Sequence, residues 1–359
     1  MTRLTRPDLD AIPNYVSGRS PADLARELGL PEAIKLASNE VPYGPLPGVV
    51  EAIAAAATSV HRYPDMGVIA LRETLAQRYG VTPDRIATGC GSVALCEHLV
   101  RAACMPGDEI VYSWRSFEAY PIISATTGAA SIRVPNTAAH GHDLDAMAAA
   151  VTDRTRVVLV CNPNNPTGTS VRRAELDAFL DRVGEGVLVA LDEAYREFVT
   201  DPDVPDGLEA YGDRPNVVIL RTLSKAWGLA GLRVGFLIAQ PEIAATVRKV
   251  VTPFSTNAAA QAAALAALTQ EEEVRRRCDL VIAERSRLLE ATRKIVAEVP
   301  ESQSNFVWLP LADRSVEFGR ACEARGVIVR PFPDEGVRVT VGTPAENDAF
   351  LTAAEAALL

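Results

Sequence analysis

The runs R-V-V-L-V-C-N (156–162) and V-L-V-A-L-D-E (187–193) decide the fold. Both are apolar almost throughout and both end at polar residues that close a strand, Cys161-Asn162-Pro163 in one and Asp192-Glu193 in the other. A strand with one wet face alternates apolar and polar side chains, so an unbroken apolar run reads as a strand covered on both faces. Three more runs share this character: E-I-V-Y-S (109–113), N-V-V-I-L-R-T (216–222) and V-G-F-L-I-A (234–239). Longer helical patterns separate them, which predicts an α/β architecture with a mainly parallel central sheet covered by helices.

Beyond Ala239 the pattern turns helical, opened by Pro241 and continued through the alanine-rich stretch 258–268 and a charged segment from Glu271 to about Val299. The rest reads as a smaller α+β unit: strands at 305–311, 327–332 and 337–342, a helix over about 314–325, and a last helix after Pro344. The expected organisation is an N-terminal arm over 1–45 packing on the other domains, a large domain over 46–270 and a small one over 271–359. No internal repeat or long low-complexity tract interrupts it.

A chain of 359 residues, 48% hydrophobic and 23% charged, has the size and composition of an ordinary globular protein of about two domains. Its formal net charge of −10 gives no overall positive field to collect nucleic acid or an anionic membrane. The six cysteines, 90, 96, 104, 161, 278 and 322, form no C-x-x-C pair and the four histidines no H-E-x-x-H, so no metal is expected. The thiols read as reduced, in a cytoplasmic protein. The N-terminus lacks the apolar stretch of a signal peptide. The 258–268 stretch, broken by Gln261, falls short of the ~20 residues a bilayer span needs. H-G-H at 140–142 reads as a solvated loop ahead of a helix cap at Asp143.

Four features fall at strand ends or helix starts of the core, where open α/β sheets bind ligands. G-C-G-S-V-A (89–94) lets backbone amides approach an anion at a helix N-terminus. C-N-P-N-N-P-T-G (161–168) is a loop with turn chemistry. In L-D-E-A-Y (191–195), Asp192 closes a very apolar strand, where a charge without a cationic partner is unfavourable. R-T-L-S-K-A-W-G-L-A-G-L-R-V-G (221–235) sets Thr222, Ser224, Lys225 and Arg233 in a glycine-punctuated turn. A phosphate cradle, a buried carboxylate, a tyrosine, an asparagine and a lysine together suit pyridoxal 5'-phosphate. The lysine amine meets the aldehyde, and the carboxylate keeps the pyridine nitrogen protonated.

Other chemistries meet this sequence less well. G-C-G-S-V-A also matches a dinucleotide fingerprint, but Asp108 and Glu109 precede their strand, whereas the ribose-binding acid should end it. A Ser-Lys hydrolase on Ser224 and Lys225 lacks the G-x-S-x-G elbow. A transcription regulator would need a DNA-binding helix-turn-helix, and only a short arm precedes the first motif.

At these residues the chain resembles the fold-type-I pyridoxal-phosphate aminotransferases, and within them the histidinol-phosphate and aromatic aminotransferase group. N-P-N-N-P-T-G, D-E-A-Y and T-L-S-K-A-W-G-L-A-G-L-R-V-G stand in the family's order, joined by S-N-E-V-P-Y-G (38–44), R-Y-P-D (62–65) and V-R-V-T-V-G-T (337–343). The resemblance makes Lys225 the Schiff-base lysine and proton shuttle, and Asp192 the partner of the pyridine nitrogen. Asn165 and Tyr195 would bond the ring's phenolic oxygen, and Phe117 would stack on the ring. Gly91, Ser92 and Val93, with Thr222, Ser224 and Arg233, would hold the phosphate. Tyr63 would reach that phosphate from a second subunit, which implies a homodimer.

For the substrate, Arg338 would grip the acidic group through a bidentate guanidinium contact, with Tyr15, Asn39 and Arg330 in support. Val41 departs from the N-E-N-P-Y-G form usual in the histidinol-phosphate branch. G-S-V-A-L-C-E and Y-S-W-R-S-F-E-A-Y resemble the aromatic branch. The resemblance therefore implies amino transfer between an aromatic L-amino acid and a 2-oxo acid, with histidinol phosphate as the alternative donor.

Overall fold

The computed structural model describes residues 4–12 and 19–358. Among them, the strands in chain order are β1 (Ile34–Lys35), β2 (Ile86–Cys90), β3 (Glu109–Trp114), β4 (Ala130–Pro135), β5 (Thr155–Cys161), β6 (Leu188–Asp192), β7 (Val217–Thr222), β8 (Val234–Ile238), β9 (Phe306–Ala312), β10 (Val327–Ile328), β11 (Arg330–Phe332) and β12 (Glu335–Thr340). Seven of them make the central sheet, in the order β2-β8-β7-β6-β5-β3-β4. Strands β4, β3, β5, β6 and β7 run parallel, while β8 lies antiparallel to both β7 and β2.

The apolar runs are covered on both faces. Val157 and Leu159 of β5, with Ala190, Val218 and Leu220, pack into one core cluster together with Tyr112 and Tyr120. Val158 and Val160, with Val189, Leu191, Val217 and Ile219, pack into the other. Burying each such Val, Leu or Ile side chain contributes about 1.5–3 kcal/mol, and both layers draw on β5, β6 and β7.

Two expectations need correction, and one strand has no sequence expectation behind it. The edge strand β4, A-S-I-R-V-P, has mixed exposure and so carries no apolar run to announce it. The stretch 327–332 is two strands, because β10 pairs parallel with β1 while β11 pairs antiparallel with β12. The charged helix Glu271–Thr292 stops short of Val299.

The N-terminal segment is tied to the C-terminal part of the chain. Helix Pro21–Leu28 is capped by Ser20 and ended by Gly29 in the left-handed region. Its Leu24 and Ala25 pack with Ala33, Ala37 and Ile328. Strands β11, β12 and β9 form a separate antiparallel sheet that presents β12 toward the carboxyl ends of the central strands. No helix among the described residues is long and apolar enough to cross a membrane.

Candidate active site

A cavity of about 230 Å³ opens where β5, β6 and β7 end and the helix Gly91–Ala103 begins. Asn39, Ser92, Val93, Phe117, Asn165, Asp192, Tyr195, Thr222, Ser224, Lys225, Arg233, Arg330 and Arg338 all line it, beside Ala37, Ser38, Cys161 and Ala194.

Asp192 is the last residue of β6 and is buried. Its Oδ2 accepts a hydrogen bond of 2.9 Å from the Tyr120 hydroxyl, while its Oδ1 is buried with no partner. Burial pushes the carboxyl up to about 6, against the pull of Tyr120 and the Ala194 amide. An unanswered buried carboxylate oxygen is costly, and a protonated ring nitrogen would answer it.

Lys225 stands in the turn after β7, which closes on itself through Gly228 N–H to the Lys225 carbonyl and Leu229 N–H to the Leu223 carbonyl. Gly228 sits at φ +68, a conformation that favours glycine. The Lys225 amine donates to the Ser38 carbonyl at 3.1 Å. Burial pushes the amine down to about 7, and Arg338 and Arg233 push it the same way against Glu40. An amine so placed is largely neutral in mildly alkaline solution and can act as nucleophile and base.

The anion cradle lies at the start of the Gly91–Ala103 helix, whose first turn receives no side-chain cap from Cys90. Its amides are donors waiting for an acceptor. Gly91 has φ +80, and a Cβ there would collide with the Arg233 guanidinium; a Cβ on Gly235 would collide with the backbone of Gly91 and Ser92. Both glycines thus let Arg233 and β8 close on the helix start. Arg233 donates to Ser224 Oγ at 3.3 Å, and Thr222 Oγ1 accepts from the Ser224 amide at 3.1 Å. Hydroxyls, a guanidinium and uncapped amides fit a phosphate, and the unpartnered Asp192 oxygen fits a pyridinium. The residues present suit pyridoxal 5'-phosphate.

Tyr195, buried, accepts from Asn39 Nδ2 at 2.9 Å, and burial raises its hydroxyl well above the usual range. Asn39 sits at φ 55, which asparagine tolerates, and its amide and Oδ1 both bond Thr340 Oγ1. Arg338 of β12 reaches Asn165 Oδ1 with one amino group and the Ala37 carbonyl, at 2.6 Å, with the other. Arg330 lies opposite Arg338 in the strand register and is held by Glu118, at 2.9 and 3.2 Å. Phe117 meets the edge of Tyr120 at 5.7 Å between ring centres.

Some sequence-predicted residues stand elsewhere. Gly91 packs under Arg233 at the cavity's edge. Tyr63 is 81% exposed, stacked on Phe254 at 4.4 Å and outside the cavity of its own chain. Tyr15 lies outside the described residues. The solvated reading of the 140–142 loop does not hold at His142, whose Nε2 bonds the Cys161 carbonyl at 2.8 Å and whose burial pushes the imidazole down to about 4. Sequence reasoning missed Tyr120 and Glu118, although both sit in the quoted W-R-S-F-E-A-Y segment.

The chain is similar to known aminotransferases over nearly its whole length. The family model for aminotransferase class I and II matches residues 31–353. The chain is 55% identical over 350 residues to an aromatic amino acid aminotransferase of Streptomyces coelicolor, covering 98% of this chain and 96% of that protein. It is 54% identical to one of Rhodococcus jostii, covering 98% and 95%. A crystal structure of histidinol-phosphate aminotransferase from Sinorhizobium meliloti, in complex with pyridoxal-5'-phosphate, superposes with a TM-score of 0.88 at 28% identity, covering 100% of this chain and 98% of that one. The chain belongs to the class I and II aminotransferases.

Proposed function

We propose that this aminotransferase moves the amino group between an aromatic L-amino acid and a 2-oxo acid, using pyridoxal 5'-phosphate. The observation that carries the reading is the pairing, in one cavity, of a buried Asp192 with an unanswered oxygen and a Lys225 amine brought down to about 7. When bound, the cofactor supplies an aldehyde that condenses with amines and a ring that accepts the electrons of a carbanion.

The residues divide the remaining work. Asp192, oriented by Tyr120, would keep a proton on the ring nitrogen. Ser92, Val93, Thr222, Ser224 and Arg233, with the Gly91 backbone, would hold the phosphate. Asn165 and Tyr195 would hydrogen-bond the ring's phenolic oxygen, and Phe117 would stack on the ring. Lys225, neutral above about pH 7, would take the proton from the amino donor's Cα and, in the second half of the exchange, deliver a proton to the carbon of the 2-oxo acid that becomes the product's Cα. Arg338 binds the substrate carboxylate, supported by Asn39. The first product leaves as a 2-oxo acid before the second 2-oxo acid enters, so the kinetics are ping-pong.

Relatives at 50–55% identity carry the aromatic name, which supports the substrate class over the histidinol-phosphate likeness at 28%. The exposed Tyr63, with Val60, Met66 and Ile69 exposed nearby, supports a homodimer in which Tyr63 completes the partner's phosphate site. Six free thiols support a cytoplasmic location. A division into a large domain over 46–270 and a small one over 271–359 accords with the two main sheets.

The test mixes cofactor-loaded protein separately with L-phenylalanine and with histidinol phosphate and follows conversion of the cofactor from its aldehyde to its amine form. Faster conversion by phenylalanine is expected. Faster conversion by histidinol phosphate would make the acidic group at Arg338 a phosphate and overturn the aromatic reading.

A further inference from the structure

Two arginines line the cavity from adjacent antiparallel strands, Arg330 on β11 directly opposite Arg338 on β12. Side chains so paired lie about 5 Å apart at Cβ, and two like charges there repel. Arg330 is answered from the large sheet's side of the cavity. Its Nη2 donates to both oxygens of Glu118, and both side chains are sheltered, 11% and 29% exposed. Glu118 is the N-cap residue of the helix Ala119–Thr127, where the helix dipole favours a carboxylate although the side chain makes no cap hydrogen bond, and it follows Phe117, which lines the cavity. Arg330 also lies over the Phe332 ring at 5.3 Å.

We propose that Glu118 is a specificity-determining residue: its carboxylate competes with any anionic group on the far end of a substrate for Arg330, and so biases the pocket toward amino donors with neutral side chains. This rests on the aminotransferase reading above, with Arg338 taking the α-carboxylate. A donor carrying a second anion gains Arg330 only by displacing an intramolecular partner already in place, whose effective concentration is high. A neutral aromatic side chain meets no such competition and lies against Phe117 and the aliphatic part of Arg330. Glu118 acts through Arg330 and touches no reacting atom, so it is a positioning residue.

The test replaces Glu118 by Gln, which keeps the shape and a hydrogen-bond acceptor while removing the charge. Two ratios are read in the holoenzyme: kcat/KM for L-glutamate over L-phenylalanine, and the binding of two unreactive acids, glutarate over 3-phenylpropionate, from their effect on the cofactor absorbance. Both ratios are expected to rise about tenfold in Glu118→Gln and to fall back in Glu118→Gln/Arg330→Gln, because the gain requires the released guanidinium. Glu118→Asp, which retains the charge, is expected to stay near wild type. Ratios that do not move in Glu118→Gln, or a rise that survives the loss of Arg330, would overturn the proposal. The unreactive acids separate the two readings. If phenylalanine proves a poor donor, the aromatic assignment fails while the glutarate ratio still reports on Glu118.

Discussion

Asp192 and Glu193 are neighbours in sequence, both buried carboxylates at the end of β6, and they are treated in opposite ways. Burial pushes both upward. Glu193 is answered inside the protein: Arg221 donates to it at 2.7 and 3.1 Å, the Gly207 amide at 2.6 Å, and Asp206 shares the same guanidinium. Asp192 has the Tyr120 hydroxyl on Oδ2 and no hydrogen-bond partner on Oδ1. A satisfied buried charge is architecture, holding the turn after β6 to β7 and to the helix Gly207–Tyr211. An unsatisfied one lining a cavity is available to a ligand, and it stands in the same cavity as the Lys225 amine, which burial brings down to about 7.

That contrast can be broken by mutation, beginning with the group on the Asp192 side that should matter most. Lys225→Ala should lower kcat by about 10⁴-fold or more, the upper end of what a general base contributes, with the fold retained. Turnover persisting in the cofactor-loaded variant would remove Lys225 from the chemistry.

The carboxylates themselves come next. Asp192→Asn should lower kcat about 10²–10³-fold, as loss of a single preorganised electrostatic group does, without lowering the melting temperature of the cofactor-free protein. Glu193→Gln should do the reverse, costing about 3 kcal/mol of stability by leaving Arg221 with Asp206 alone, while kcat per folded molecule stays close to wild type. Parallel measurement of Tm and kcat decides the matter. Equal losses of both quantities in the two variants would erase the distinction.

The smallest effect expected is a pH dependence. Burial lowers Lys225 from its ordinary value to about 7, so the amine is neutral above that pH and protonated below it. The rate at which cofactor-free protein captures pyridoxal 5'-phosphate should therefore be level above about pH 7 and fall up to tenfold per unit below it. Asp192, near 6, loses its charge further down, and Asp192→Asn should remove only that lower inflection. Stopped-flow absorbance resolves the two. A rate still climbing from pH 8 to 10 would mean that the lysine keeps its ordinary basicity.

What could be read from the sequence follows from the range of the interactions. Strands β3 and β5 to β8 were legible to within one residue at each end because a run covered on both faces is apolar throughout. The edge strand β4 was not, since half-exposed side chains leave no such mark. Lys225, Asp192 and Asn165 sit in compact motifs and converge as the resemblance implies. The contacts that complete them do not. Tyr120 meets Asp192 across 72 residues and Glu118 meets Arg330 across 212, and no local pattern encodes either pair. His142 looked solvated because a histidine between glycine and aspartate carries no sign of the carbonyl that the fold brings to it.

The most direct test of the account is the protonation of the cofactor ring, read by ¹⁵N NMR on protein loaded with ring-labelled pyridoxal 5'-phosphate. The wild-type enzyme at about pH 8 should show a protonated ring nitrogen, with Asp192 as its charged partner, and Asp192→Asn should show it unprotonated. An unprotonated nitrogen in the wild type, indistinguishable from the variant, would mean that the open oxygen of Asp192 serves something else.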